Sequence, residues 1–168
     1  MNMATTRGMT QYLTYKLADE VFAFDIAKVR EVLDFTAITK VPRTPDFMRG
    51  VINLRGSVVP VVDMKLKFGM PMTERNVNTC VIIVEVNVDG STTVLGALAD
   101  SVQEVIDLEP EHIEPAPRIG SAVYHDFVLG MGKRDNRFVM ILDLDKVFSA
   151  REIAAAQATR DEGETLAA

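Results

Sequence analysis

The sequence predicts an all-β fold made of two diverged copies of one small, five-stranded barrel. Three observations predict it. The chain repeats itself internally, it breaks into short runs rich in β-branched residues, and turn signals fall between those runs at close spacing.

The repeat comes first. Val29-Arg30-Glu31-Val32-Leu33-Asp34 and Val102-Gln103-Glu104-Val105-Ile106-Asp107 both read V-x-E-V-aliphatic-D, 73 positions apart. Val21 meets Val94 and Pro42 meets Pro115 at the same offset. Further on, Phe47 to Gly50 resembles Phe127 to Gly130, and Val59 to Met64 resembles Val139 to Leu144, now 80 positions apart. One loop insertion between Pro117 and Phe127 accounts for the change of offset. The reading is a duplication with halves at 10–75 and 76–150, followed by a C-terminal segment, 151–168.

Each half reads as short strands. Tyr12, Thr14 and Lys16 alternate with Leu13, Tyr15 and Leu17, and Ala18-Asp19-Glu20 turns the chain into Val21 to Asp25. Gly56-Ser57 lies between Val51–Arg55 and Val58–Val62 as a hairpin turn. Pro60 interrupts the second of these runs, which predicts an edge or bulged strand because proline donates no ladder bond. Thr79 to Val88 is closed by Asp89-Gly90, a strong hairpin signal. Asp135-Asn136 sits between basic residues as another turn. Asp63 and Asp143, at equivalent repeat positions, read as N-caps of short helical turns. Arg151 to Ala158 is helix-prone, and the tail from Thr159 to Ala168 is expected to fray.

Composition narrows the function. The chain has 168 residues, 48% hydrophobic and 25% charged, with net charge −6 and 7% aromatic residues. Nucleic-acid binding is not expected, because phosphate neutralisation needs a basic face. Membrane insertion is not expected either, since apolar runs such as Val81 to Val84 are far too short to span a bilayer. No targeting segment is visible at the start. The single cysteine, Cys80, lies in an apolar run and reads as a buried thiol in a reducing compartment. The cytoplasm is the expected location.

No catalytic constellation stands out. His112 sits in an acidic loop and His125 beside Asp126, neither with metal-ligand spacing. Gly130-Met131-Gly132-Lys133 lacks the spacing of a phosphate loop and does not precede a helix. The 9 methionines read mainly as core filling. No enzyme activity and no cofactor are expected; the reading is a binding module.

Phe47-Met48-Arg49-Gly50-Val51-Ile52-Asn53-Leu54-Arg55-Gly56, followed by Val59-Pro60-Val61-Val62-Asp63, resembles the signature of the CheW family. Phe24-Asp25-Ile26, Val29 to Val32, Val102 to Val105, Ile113 to Pro117 and Gly130 to Gly132 fit the same pattern. The resemblance covers about residues 10–150. It implies two barrels similar to Src-homology-3 barrels around a shared core. It also implies an adaptor that joins the cytoplasmic tips of chemoreceptors to the regulatory domain of a CheA-type histidine kinase, recruited to membrane-associated arrays.

Site residues follow from the same resemblance. A groove between the barrels would take the receptor's helices, with Val29, Glu31, Gly50, Arg55, Val84, Val102, Val105, Gly130 and Gly132 at receptor-binding positions. The glycines would let a partner helix approach closely. Arg55 is singled out for coupling, through a bidentate pair with Glu31 or a partner carboxylate. The kinase would meet the proline-stiffened loops, at Val41, Pro42, Ile113, Glu114, Pro115 and Ile119. Three rival readings remain at this point: a scaffold of a non-flagellar chemosensory pathway; an oligonucleotide-binding small barrel, which would need exposed aromatics and salt-sensitive binding; and an enzyme, which would need convergent titratable groups in a cleft that the sequence does not nominate.

Overall fold

Tight turns divide the chain into its strands. In the computed structural model, which describes residues 9–115 and 127–167, three hairpins turn on residue pairs with positive φ. They are Arg55 (51°) with Gly56 (88°), Asp89 (50°) with Gly90 (79°), and Asp135 (51°) with Asn136 (63°). Two consecutive positive φ values match the right-handed twist of the flanking strands, which makes this the favoured hairpin turn. The first turn is therefore Arg55-Gly56, one residue earlier than the Gly56-Ser57 turn the sequence suggests. Ser57 already pairs with Leu54.

The strands are β1 (Thr10–Leu17), β2 (Glu20–Asp25), β3 (Val29–Asp34), β4 (Met48–Leu54), β5 (Ser57–Asp63), β6 (Cys80–Val88), β7 (Ser91–Ala99), β8 (Ser101–Leu108), β9 (Ile113–Glu114), β10 (Val128–Arg134) and β11 (Arg137–Leu142). They form two curled sheets, ordered β8-β1-β2-β11-β10-β9 and β3-β6-β7-β5-β4. Exchanging β1 to β5 for β6, β7, β8, β10 and β11 converts the second order into the first. The isolated Thr39–Val51 bridge stands where β9 stands in the other sheet.

The sheets do not divide the chain at residue 76. The first combines β1 and β2 with β8 to β11; the second combines β3 to β5 with β6 and β7. After β2, a 3-10 turn at Ile26–Lys28, capped by the Asp25 carboxylate on the N–H of Ala27, carries β3 away to pair with β6. Each half thus lends strands to the other's barrel, and a contiguous barrel at 10–75 is not what forms.

This exchange buries strands on both faces. In β6, Cys80, Ile82, Val84 and Val86 face a core shared by the two sheets, while Val81 and Ile83 join a cluster drawn from the second sheet alone. In β2, Phe22 and Phe24 face the shared core and Ala23 joins the first sheet's own cluster. Doubly buried strands read as continuous apolar runs, which explains the sequence around Val81 to Val84. Aromatic rings pack through the shared core: Tyr15 and Phe24 have centroids 4.6 Å apart, and Phe68 and Phe127 5.0 Å.

Pro60 sits in a strand with neighbours on both sides, neither at an edge nor at the bulge, which falls in β4 between Met48 and Gly50. Val51 exchanges both backbone hydrogen bonds with Thr39 (2.8 and 2.9 Å), so its pairing with Pro60 carries none. The ring nitrogen points instead toward β7, whose pairing with β5 begins only at Val61. No ladder bond is lost.

The bulges are made by equivalent glycines. A Cβ on Gly50 (φ 137°) would lie 2.1 Å from the carbonyl oxygen of Thr39. One on Gly130 would lie 2.6 Å from Ile113 Cγ2 and 2.7 Å from the carbonyl oxygen of Glu114. These glycines seat the crossing segments directly on the sheets.

The short helices α1 (Met64–Lys67) and α2 (Leu144–Val147) start at Asp63 and Asp143, whose carboxylates accept from the N–H groups of Lys65 and Asp145, both at 3.1 Å. The last helix, α3 (Ala150–Ala167), runs through the segment expected to fray. Ser149 and Glu152 open it with a capping box: the N–H of Glu152 donates to Ser149 Oγ (3.1 Å) and that of Ser149 to Glu152 Oε1 (2.9 Å). Ile153, Ala156, Thr159 and Gly163 are buried on one side. A Cβ on Gly163 would meet Val51 Cγ2 at 2.7 Å, so small residues let the helix lie close on β4 and β5. That packing holds the tail in a helix.

Two stability outcomes follow. Gly130→Ala is expected to lower unfolding free energy by about 1–3 kcal/mol in urea, because backbone must move to admit the methyl group. Tyr15→Phe is expected to leave the urea midpoint unchanged or raise it, because the fully buried Tyr15 hydroxyl has no hydrogen-bond partner among the described residues.

Candidate partner-binding site

In the second sheet, β3 and β4 are the two edge strands. Curling brings them together, and the tip of the β4–β5 hairpin reaches across the seam to β3. Arg55 sits at that tip in the left-handed conformation and donates through Nη1 to Glu31 Oε1 (3.2 Å) and through Nη2 to Glu31 Oε2. The contact is bidentate, as a planar guanidinium permits. The Arg55 hydrogen bond, with its charge, holds the Glu31 carboxyl below its ordinary range, and Glu31 in turn raises Arg55. Arg55 is 69% exposed, so the pair is presented to solvent. Beside it, Arg30 Nε donates to Glu85 Oε1 at 2.6 Å. A cleft of about 420 Å³ runs from this seam to α3.

The first sheet has a corresponding seam. Glu104, the repeat partner of Glu31, accepts from Arg134 Nε at 3.2 Å, and Arg134 ends β10 just before the turn. Both residues were absent from the sequence-derived set. The glutamate of the V-x-E-V repeat is the signal that points to them.

The other expected receptor-binding residues divide into groups. Val29 and Val102 occupy equivalent positions and pack, half-buried, against the shared core, where Val84 is buried opposite Val29. Val105 is 48% exposed, and its equivalent Val32, not singled out from sequence, is 42% exposed. Gly50, Gly130 and Gly132 are buried. A side chain at any of them would first meet this chain's own Thr39, Ile113 and Glu114, or Leu108, rather than a partner helix.

Those crossing segments carry the residues expected at the kinase. Val41 is buried, Pro42 exposed, Ile113 half-buried, and Glu114 and Pro115 exposed. Ile119 lies outside the described residues. Val41 and Pro42 also face α3 across a groove that includes Ala155, Thr159 and Glu162. The bulge glycines therefore act on these loops by seating them.

Other chemistry is sparse among the described residues. No group of three or more His, Cys, Asp or Glu side chains is placed to hold a metal ion. Buried Asp63 is saturated by the Thr73 N–H (2.9 Å), Thr73 Oγ1 (2.8 Å) and Arg49 Nη1 (3.0 Å), as a structural cap would be. Burial pushes the Cys80 thiol up, and no helix among the described residues is long and apolar enough to cross a membrane.

Comparison with known proteins agrees with this geometry. The model of the CheW-like domain matches residues 11–152. The chemotaxis protein CheW of Klebsiella aerogenes is 33% identical over 144 residues, 86% of this chain and 84% of that protein. The chemotaxis protein CheW of Rhizobium meliloti is 32% identical over 151 residues, 90% of this chain and 95% of that protein. The crystal structure of the scaffolding protein TtCheW from Thermoanaerobacter tengcongensis superposes with a TM-score of 0.72 at 34% identity, covering 85% of this chain and 94% of that one. With its paired curled sheets, shared core and matched glycine bulges, the chain belongs to the CheW-like family.

Proposed function

We propose that this chain is a non-catalytic adaptor that couples the cytoplasmic tips of chemoreceptors to the regulatory domain of a CheA-type histidine kinase, at receptor arrays on the cytoplasmic face of the membrane. The observation that carries the reading is the family match across nearly all strands, joined to an exposed, bidentate Arg55–Glu31 pair at the barrel seam. An adaptor needs two separate surfaces on one rigid body; the exposed seam and the proline-containing loop ends support that reading.

The receptor's helices take the seam side: Glu31 and Arg55 set register by charge, and exposed Val105 adds apolar contact. Val29, Val84 and Val102 shape the groove from beneath. The kinase domain takes the loop ends at Val41, Pro42, Ile113, Glu114, Pro115 and Ile119, whose prolines reduce the entropy lost on docking. Gly50, Gly130 and Gly132 support both surfaces by holding the crossing segments in place.

Binding of purified protein to a receptor cytoplasmic fragment and, separately, to the kinase regulatory domain tests this. Arg55→Glu is expected to weaken the receptor complex about tenfold and leave the kinase complex within twofold, with an unchanged thermal melt. Arg55→Lys is expected to fall between, since an ammonium cannot reproduce the bidentate contact. Unchanged receptor affinity in Arg55→Glu contradicts the assignment of the seam.

A further inference from the structure

We infer that Arg160 on α3 completes an arginine-rimmed cleft with Arg30 and Arg55, and that this cleft takes an acidic side chain from a partner helix. The inference rests on the adaptor reading and deepens it by naming the partner's chemistry and a residue that selects it. The family match ends at residue 152, so Arg160 comes from a part of the chain beyond the matched domain.

The cleft lies between the β3 seam and α3. Its lining contains three arginines, Arg30, Arg55 and Arg160; Glu85 holds Arg30 and Glu31 holds Arg55, whereas the partners of Arg160 are its helix neighbours Asp161 and Glu164. The same lining includes the apolar residues Val58 and Val94 and the amide of Gln157. An apolar floor under guanidinium groups suits a glutamate or aspartate: its methylene stem meets carbon and its carboxylate meets the arginines.

The wall that carries Arg160 is held in place. Gln157 Nε2 donates to Thr93 Oγ1 on β7 (3.2 Å), Ala156 is buried, and Gly163 seats the helix on Val51 and Val58. Arg160 itself is held loosely. Its contacts are a 3.3 Å pair with its chain neighbour Asp161 and a 4.0 Å approach to Glu164, all three side chains about half exposed. Exposed pairs of this kind exchange readily for a better partner. Arg55 donates from Nη1 and Nη2 to Glu31, and Arg30 from Nε to Glu85, so Arg160, with its longer contacts, is the cation of the three that exchanges most readily for an incoming carboxylate.

The test titrates the full-length protein with a chemoreceptor tip fragment from the same organism and with the kinase regulatory domain. Arg160→Gln, Arg160→Glu and Arg55→Glu are compared with wild type, each checked by circular dichroism. Arg160→Glu is expected to weaken the receptor fragment about tenfold and Arg160→Gln by less, with kinase binding within twofold of wild type. A tip fragment carrying lysine in place of its acidic residues is expected to regain affinity for Arg160→Glu and to lose it for wild type. If both Arg160 variants bind the receptor fragment within twofold of wild type while Arg55→Glu is weakened, the cleft is overturned and the adaptor reading stands. If wild type does not bind the receptor fragment, both fall together.

Discussion

Burial of β2 and β6 on both faces is the constraint from which the rest of the molecule follows. Each strand must present apolar residues to its own sheet's core and to the core between the sheets, as Val81 and Ile82 or Ala23 and Phe24 do. Two faces can be satisfied at once only because the halves exchange strands. A separate barrel cut from residues 10–75 would lack β6 and β7 and expose what they cover. The two sheets therefore fold as one body, and a partner on one sheet meets a surface whose position relative to the other is set by shared packing.

The same arrangement explains why the repeated positions are mostly valine and glycine. Equivalent glycines at the two bulges admit equivalent crossing segments, Thr39 on one sheet and Ile113-Glu114 on the other. Equivalent glutamates, Glu31 and Glu104, meet arginines at the hairpin ends and mark each barrel seam. Asymmetry enters through α3, which lies on β4 and β5 of the second sheet and builds a wall beside one seam. The seam with the bidentate pair is the one so walled.

Much of the fold was legible in the sequence because it is written locally. Asp89-Gly90 and Asp135-Asn136 favour positive φ by their own chemistry, and Asp63 and Asp143 cap helices a residue away. Strand exchange was not legible, since no local signal tells β3 to leave β2 and pair with β6. Pro60 misled because its cost depends on which side a ladder bond would be made. The length of α3 was hidden by its composition: Ala156, Thr159 and Gly163 look like a weak helix face until Val51 and Val58 are set beneath them. The Arg55–Glu31 pair was anticipated, whereas Glu104 and Arg134 were not, although the repeat contained the glutamate. At Gly50 and Gly130 the close approach that glycine permits is made by this chain's own segments, which only the folded topology brings there.

In the proposed adaptor, one copy of this protein holds a receptor tip and a kinase regulatory domain at the same time. Size-exclusion chromatography with light scattering on the three purified components measures this directly. A complex containing all three is expected, absent when this protein is left out. Mutually exclusive binding, with either partner displacing the other from the protein, would contradict it.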